Sequence, residues 1–423
     1  MRQREVSPAV RPVPFVRRAR IRNYRSIADC EVTFEPLTVL LGLNAAGKSN
    51  ILDALRFVAD ALTWGPARAL AERGGIPAVL RRTADGWADS FSIELDLEVM
   101  VRARAVAADL DSVRAVPATY VLELRGGRDN RSAGQAGPVI VAHERCEIAG
   151  AVFVRPARFE VRDGQVVEGP GYLQGPATDA GSLLLPAAAR WPPFTAVHAA
   201  LRAMSFYVVS AAVMRRVEVH TGQPVLGRQG ERLGEVLGHL ATHFPPVKSR
   251  VDDYLAAIVP HALGVDDHPL DRHHIVQLCI EDHGAPGGVR RFDAESMSDG
   301  TLNVAGILAA LFQPDTLTGD IPMVAVEDPE VGLHPTATGV LFDALTEASE
   351  HVQVIAATQS ADLLDRKDFP VECARVVQMR DGITHAGPVD AGSREIISQG
   401  LATLGELLRS NQLTPRPDPT DGE

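Results

Sequence analysis

The stretch that most constrains this chain is Gly42-Leu43-Asn44-Ala45-Ala46-Gly47-Lys48-Ser49, with Asn50 directly after it. It spells G-x-x-x-x-G-K-S between an apolar run, Leu37 to Leu41, and a segment in which Ile51, Ala54, Leu55, Val58 and Leu62 recur on one helical face. A strand must therefore turn through glycines straight into a helix. Such a turn presents successive backbone N–H groups and a helix N-terminus to negative charge, which suits phosphate. In this geometry Lys48 reaches the β and γ phosphates and the Ser49 hydroxyl is a ligand for Mg²⁺.

Composition narrows the class. The 423 residues carry a formal charge of −12, are 45% hydrophobic and 5% aromatic, and correspond to one large globular domain or two modest ones. The longest uncharged apolar run, Val304 to Phe312, is about half of what a membrane span needs. The first fifteen residues are polar and proline-bearing, without the apolar core of a secretory signal, so the expectation is a cytoplasmic protein with no membrane partner. Cys30, Cys146, Cys279 and Cys373 are widely spaced and read as buried thiols rather than a disulfide framework or zinc ribbon. Lysine occurs only at positions 48, 248 and 367, which makes its presence in the glycine-rich motif informative.

The pattern along the chain predicts an α/β fold with a mostly parallel sheet, an antiparallel β subdomain and a helical insert. Residues 1–13 and 411–423 are rich in proline and polar residues and are expected to fray. A first lobe spans 14–195: short strands, the phosphate loop and its helix, then period-two segments such as Phe91 to Val99 and Thr119 to Arg125, broken by turns at Gly126-Gly127 and Asp163-Gly164. Residues 196–290 are expected to be a helical insert and connecting segment. Residues 291–410 return to alternating helix and strand, the grammar of right-handed crossovers. No heptad pattern is long enough for a coiled-coil arm.

Three motifs in this last third complete a nucleotide site. Val324-Ala325-Val326 ends in Glu327-Asp328-Pro329-Glu330, where one carboxylate can hold Mg²⁺ and its neighbour can orient or deprotonate an attacking water. Ser298-Asp299-Gly300-Thr301 precedes an apolar helix; Ser298 is a natural N-cap, and the turn is also an anion site facing outwards. Thr358-Gln359-Ser360 ends the next strand, and Gln359 can sense a γ-phosphate by hydrogen bonding without carrying a proton.

The order of these motifs resembles the ATP-binding-cassette ATPase heads of the structural-maintenance-of-chromosomes (SMC) and RecF group, and more narrowly the bacterial AAA-21-type ATPases related to ATPase subunits of phage-defence systems. Asn23-Tyr24-Arg25-Ser26, Arg73-Gly74-Gly75-Ile76, Gly332-Leu333-His334-Pro335 and Leu404-Gly405-Glu406-Leu407-Leu408 add to the likeness. The resemblance implies an Mg²⁺-dependent ATPase that dimerises around two ATP, acting in DNA maintenance or phage defence with a separate nuclease or other effector. It makes Glu327 the Mg²⁺ carboxylate, Asp328 the catalytic carboxylate, Gln359 the switch residue, and Ser298, Asp299 and Gly300 the signature that reaches the partner's nucleotide. The family has Asp then Glu where this chain has Glu327 then Asp328, and His where it has Gln359. A shorter acid and no proton shuttle leave open slow turnover, or a non-hydrolysing switch or scaffold; a transporter ATPase is the third reading.

Other constellations read more plainly. His239 and His243 share a helix face at zinc spacing but lack the glutamate a metalloprotease needs, and His268, His273 and His274 show no ligand spacing. Asp365 and Lys367 read as a surface charge pair. Arg17, Arg18, Arg20, Arg22 and Arg25 crowd the first strand, offering either a DNA-backbone strip or a charged guard on an edge strand.

Overall fold

Alternate residues of the central strands enter two different cores. Leu37, Val39 and Leu41 lie in one and Leu40 in the other; Val324 and Val326 oppose Met323 and Ala325, and Val354 and Ala356 oppose Ile355 and Ala357. A strand covered on both faces is buried at every position, so Leu37–Leu41 is apolar apart from Thr38 instead of alternating. The computed structural model describes residues 14–84, 86–103, 112–126, 138–149, 157–170 and 179–416. Within it this sheet has six strands, in the order Ser205–Tyr207, Met323–Glu327, Gln353–Thr358, Leu37–Leu41, Ala374–Arg380 and Ile383–Pro388. All neighbours are parallel except the last pair. Register sets Glu327 beside Ala357 and Thr358 beside Leu41, so three strands end level at one edge.

One core is shared with a seven-stranded antiparallel sheet, in the order Gln165–Glu168, Ala157–Arg162, Val139–Ile148, Ser112–Gly126, Ser90–Ala103, Val16–Tyr24 and Ile27–Thr33. Helix Lys48–Trp64 contributes Ile51, Ala54, Leu55, Val58 and Leu62 to that core. On the other face, helix Asp299–Phe312 is buried along nearly its whole length, packed with Leu233–His243, Pro245–Ile258 and Thr338–Ala348.

Several expectations need correction. The segment 196–290 is not uniformly helical: Ala262–Leu270 and His273–Glu281 pair antiparallel, with Glu218–Val219 and Val289–Asp293 beside the latter. Ionisable residues that pair with one another, such as Lys248 with Asp266 and His274 with Asp267, interrupt the apolar pattern there. Residues 411–416 do not fray. Leu413 is buried, Pro415 bridges Val389, and Arg416 N–H donates to Pro388 O. The predicted tail 1–13, residues 417–423 and the turn residue Gly127 lie outside the described residues.

The arginine-rich strand Val16–Tyr24 is flanked on both sides, so it is no edge. Its arginines are paired in place, Arg18 with Glu31, Glu94 and Asp96, Arg20 and Arg22 with Asp29, and Arg17 with Glu98, and Arg25 in the turn after it pairs with Asp53. A strip whose charges are already matched has little counterion release to offer a nucleic-acid backbone, and the DNA-strip reading loses its physical basis.

Buried side chains splice the two large sheets: Arg375 Nε donates to Thr33 O at 2.7 Å, and Gln353 makes a second link. Gln353, 1% exposed, accepts from Val16 N–H at 2.8 Å and donates to Val16 O at 2.8 Å and Glu35 O at 3.3 Å. An amide here acts as an extra strand residue. Gln353→Leu keeps the volume but strands both Val16 groups, and is expected to lower unfolding free energy by about 1–3 kcal/mol in urea titrations.

Candidate nucleotide site

The loop 42–47 is held by close backbone contacts that leave no room for side chains. A Cβ on Gly42 would stand 2.1 Å from Val377 O, and one on Gly47, whose φ is 107°, would stand 2.1 Å from Thr384 Oγ1. Ala45 also has a positive φ of 60°. Leu43, Asn44 and Ala45 are exposed on the crest, while Ala46, Gly47 and Lys48 are buried at its base. Hydrogen bonds between distant segments brace the base. Asn50 Nδ2 donates to Ser26 Oγ at 2.6 Å, Ser26 and Thr384 hydroxyls lie 2.7 Å apart, and Thr384 Oγ1 donates to Ala46 O at 3.2 Å. A cavity of about 190 Å³ lies between the loop and strand Ala374–Arg380, with Leu408 and Leu413 on its far side.

Behind this, Asp53 on the loop's helix gathers four partners. Tyr24 Oη donates to it at 2.7 Å, and Arg25, Arg56 and Arg73 pair with it at 2.8, 2.5 and 3.0 Å. Arg73 is almost wholly buried and also holds Asp60 at 2.7 Å. The Asn23-Tyr24-Arg25-Ser26 turn, with positive φ at Asn23 and Arg25, is thereby fixed to the helix that follows the phosphate loop.

Lys48 Nζ donates to Gly42 O at 2.8 Å and Leu43 O at 3.1 Å. Burial pushes its ammonium below the usual lysine range, against the pull of the Asp328, Glu330 and Glu327 carboxylates. Those carboxylates come from the end of Met323–Glu327. Glu327 Oε2 accepts from Ser49 Oγ at 2.6 Å, joining the two predicted metal ligands directly. A hydroxyl and a carboxylate are hard oxygen donors of the kind Mg²⁺ takes, so the pair fits that ion. Asp328 adopts φ 44°, a conformation that costs a non-glycine residue about 1–3 kcal/mol, and its N–H donates to Ala357 O at 2.8 Å. Gln359 stands exposed just beyond the neighbouring strand.

One further acid belongs to this cluster. Glu330 Oε1 accepts from Thr358 Oγ1 at 2.6 Å, and its Oε2 is buried without a hydrogen bond. Burial raises its carboxyl above the ordinary glutamate value, and the Asp328 charge adds to this. The residue is visible in the Glu327-Asp328-Pro329-Glu330 string, but its burial is not. Nothing in the sequence points to Thr384, more than three hundred residues from the loop it braces.

The Ser298 turn is a true helix cap: Ser298 Oγ accepts from Thr301 N–H at 3.1 Å. Asp299 is exposed and paired with Arg215 at 2.5 Å, and the same guanidinium donates to Met297 O at 2.8 Å. Gly300 sits against the segment after the acidic strand, where its Cβ would meet Gly332 O at 2.1 Å. Among the described residues no hydrogen bond or ion pair joins Ser298, Asp299 or Gly300 to residues 42–49.

The minor constellations resolve simply. His239 and His243 rings stack at 4.4 Å, with His243 Nδ1 against His239 O. Asp365 pairs with Arg409 and Thr403, not with Lys367. All four cysteines are buried. No helix among the described residues is long and apolar enough to cross a membrane.

Comparison with known proteins agrees with this geometry. Residues 239–365 match the family described as "AAA domain, putative AbiEii toxin, Type IV TA system", and residues 15–73 match the family described as AAA ATPase domain. No curated protein sequence matches significantly. Among solved structures, an SMC head bound to the C-winged helix domain of ScpA aligns at 16% identity and a TM-score of 0.51, covering 90% of this chain and 99% of that one. The SMC head from Pyrococcus furiosus, with an extended coiled coil and bound to the C-terminal domain of ScpA, aligns at 12% identity and a TM-score of 0.52, covering 92% and 100%. The fold is that of the SMC head domains, and two segments of the chain match AAA ATPase family models. One matched segment contains the glycine-rich loop 42–49, and the other contains Ser298–Thr301, the acidic strand and Gln359.

The packing at Gly47 can be tested against a glycine of similar backbone. Gly382 has φ 75° and open space around its Cβ position, whereas Gly47 faces Thr384. Both alanine substitutions are strained, but Gly47→Ala is expected to destabilise by at least about 1 kcal/mol more than Gly382→Ala in denaturant unfolding.

Proposed function

We propose that this chain binds ATP with Mg²⁺ and hydrolyses it slowly as a dimer closed around two nucleotides, signalling to a separate effector. The observation that carries this is the 2.6 Å contact between Ser49 and Glu327, beside Lys48. In it the phosphate loop and the acidic strand, two strands over in the sheet, meet at the level strand edge where α/β sheets take ligands. Lys48, now bonded to two loop carbonyls, exchanges them for phosphate oxygens. Ser49 and Glu327 supply oxygen ligands to Mg²⁺, which when bound neutralises charge on the phosphates. Asp328 orients the attacking water, Gln359 hydrogen-bonds the γ-phosphate, and Ser298 with Gly300 completes the site of the second protomer. The effector reading rests on the toxin–antitoxin description of the matched family and stays at the level of class.

Two measurements test the reading. ATP with Mg²⁺ should stabilise the protein by about 2.7 kcal/mol at a hundredfold excess over Kd, and Lys48→Ala should lose that shift; equal shifts in both proteins overturn nucleotide binding at this loop. Asp328→Asn should keep ATP affinity while lowering kcat by a factor of about 10² to 10⁴, with an ATP-dependent dimer that persists in the mutant and decays in wild type. A wild-type dimer that never releases phosphate identifies instead the non-hydrolysing switch that the short Asp328 and the non-titrating Gln359 favour.

A further inference from the structure

Away from the nucleotide site, two imidazoles and a carboxylate converge where three separate elements meet. His220 follows strand Glu218–Val219, His274 lies in strand His273–Glu281, and Glu235 is in the first turn of helix Leu233–His243. Their ligand atoms all lie within 4.8 Å of one another. His220 Nδ1 is 2.9 Å from His274 Nε2 and 3.3 Å from Glu235 Oε1. A tetrahedral zinc ion with bonds of about 2.0–2.2 Å holds its donors about 3.3 Å apart, so the first three corners are already close to place.

The surroundings orient these atoms as ligands. His274 Nδ1 contacts Asp267 Oδ2 at 2.7 Å. A carboxylate on that nitrogen fixes its proton there and leaves the Nε2 lone pair facing His220 and Glu235, the arrangement that supports metal-bound histidines. Glu235 is 4% exposed. Its Oε2 accepts from Thr221 N–H at 3.1 Å and Thr221 Oγ1 at 2.8 Å, while its Oε1, aimed at the histidines, is buried without a hydrogen bond. A buried carboxylate oxygen left without a donor is costly unless something occupies it. The helix is also cut away for this approach: a Cβ on Gly234 would meet His274 Cβ at 2.9 Å, and one on Gly238 would meet Asp267 Oδ2 at 2.6 Å. His220 is exposed, which gives an ion an entry path and leaves a fourth position to water.

The geometry points to a zinc site of this chain's own, formed by His220 Nδ1, Glu235 Oε1 and His274 Nε2, with Asp267 behind His274. The ion cross-links the segment after Arg215, the residue that clamps Asp299 and Met297 O, to the helix and sheet beside the signature helix. His220 is five residues beyond that clamp. The site's role is thus structural support of the signature turn, and its existence does not depend on nucleotide binding.

The test is zinc binding by the full chain. Metal-free protein titrated with Zn²⁺ against a chromophoric chelator should bind one ion per chain and gain thermal stability. His220→Ala, at an exposed position, should fold normally and lose at least tenfold in affinity; Asp267→Asn should lose about 10- to 100-fold, since it touches no metal. Lys48→Ala should bind zinc like wild type, separating this site from the phosphate loop. If wild type takes up no stoichiometric zinc, or if His220→Ala and Glu235→Gln bind it as tightly as wild type, the proposal is overturned.

Discussion

The parallel sheet is buried on both faces, and the arrangement of the site follows from that. Because the interiors of Leu37–Leu41, Met323–Glu327 and Gln353–Thr358 are almost wholly apolar and buried, their chemistry-bearing side chains fall at the strand ends. Polar function is pushed to the ends, and the parallel register brings the ends of all three to one edge. Ser49 and Glu327 meet there although 278 positions separate them in sequence. The same close packing reaches the base of the phosphate loop. Gly42 abuts Val377 O and Gly47 abuts Thr384, so the loop is clamped by the strands beside and beyond it.

The turn Ser298–Thr301 is built by the opposite strategy. Its helix is buried almost end to end, but the cap itself is exposed, with Ser298 and Asp299 at the surface and only Gly300 inside. Gly300 packs on Gly332, and Asn303 Nδ2 donates to Val331 O at 3.3 Å. The turn is therefore tied to the segment that leaves the acidic strand. The outward-facing cap is in this way in direct contact with the residues that follow Glu330.

The fold class and the spine of the site were legible because they rest on local patterns. A glycine-rich turn between a buried strand and an amphipathic helix, or a carboxylate pair after an apolar strand, is specified by neighbours in sequence. The remainder was set by long-range pairing. Arg18, Arg20 and Arg22 looked like free positive charge until the strand Ser90–Ala103 and the turn after Tyr24 brought Glu94, Asp96 and Asp29 alongside. His274 looked bland because Glu235 and His220 reach it only through the pairing of Glu218 with His274 and the approach of a glycine-notched helix. The antiparallel strands 262–281 were hidden for a related reason: their ionisable residues are satisfied by each other, and a period-two pattern does not survive such pairing.

Strand Gln353–Thr358 does more than fill the sheet. Its first residue splices the two sheets through Val16, and its last residues hold both acids that follow Glu327: Ala357 O fixes the strained backbone of Asp328, and Thr358 Oγ1 fixes Glu330. Gln359 is the next residue along. A glutamine cannot shuttle a proton, but it does not need to in order to matter here. A pull on Gln359 acts one residue away on the hydroxyl that binds Glu330 and two residues away on the carbonyl that keeps Asp328 in its left-handed conformation. The Asp328 side chain makes no hydrogen bond of its own among the described residues, so its position is set by its backbone. On the proposed function, the short acid and Gln359 fit one mechanism, in which contact at Gln359 bears through two hydrogen bonds on the placement of the carboxylates.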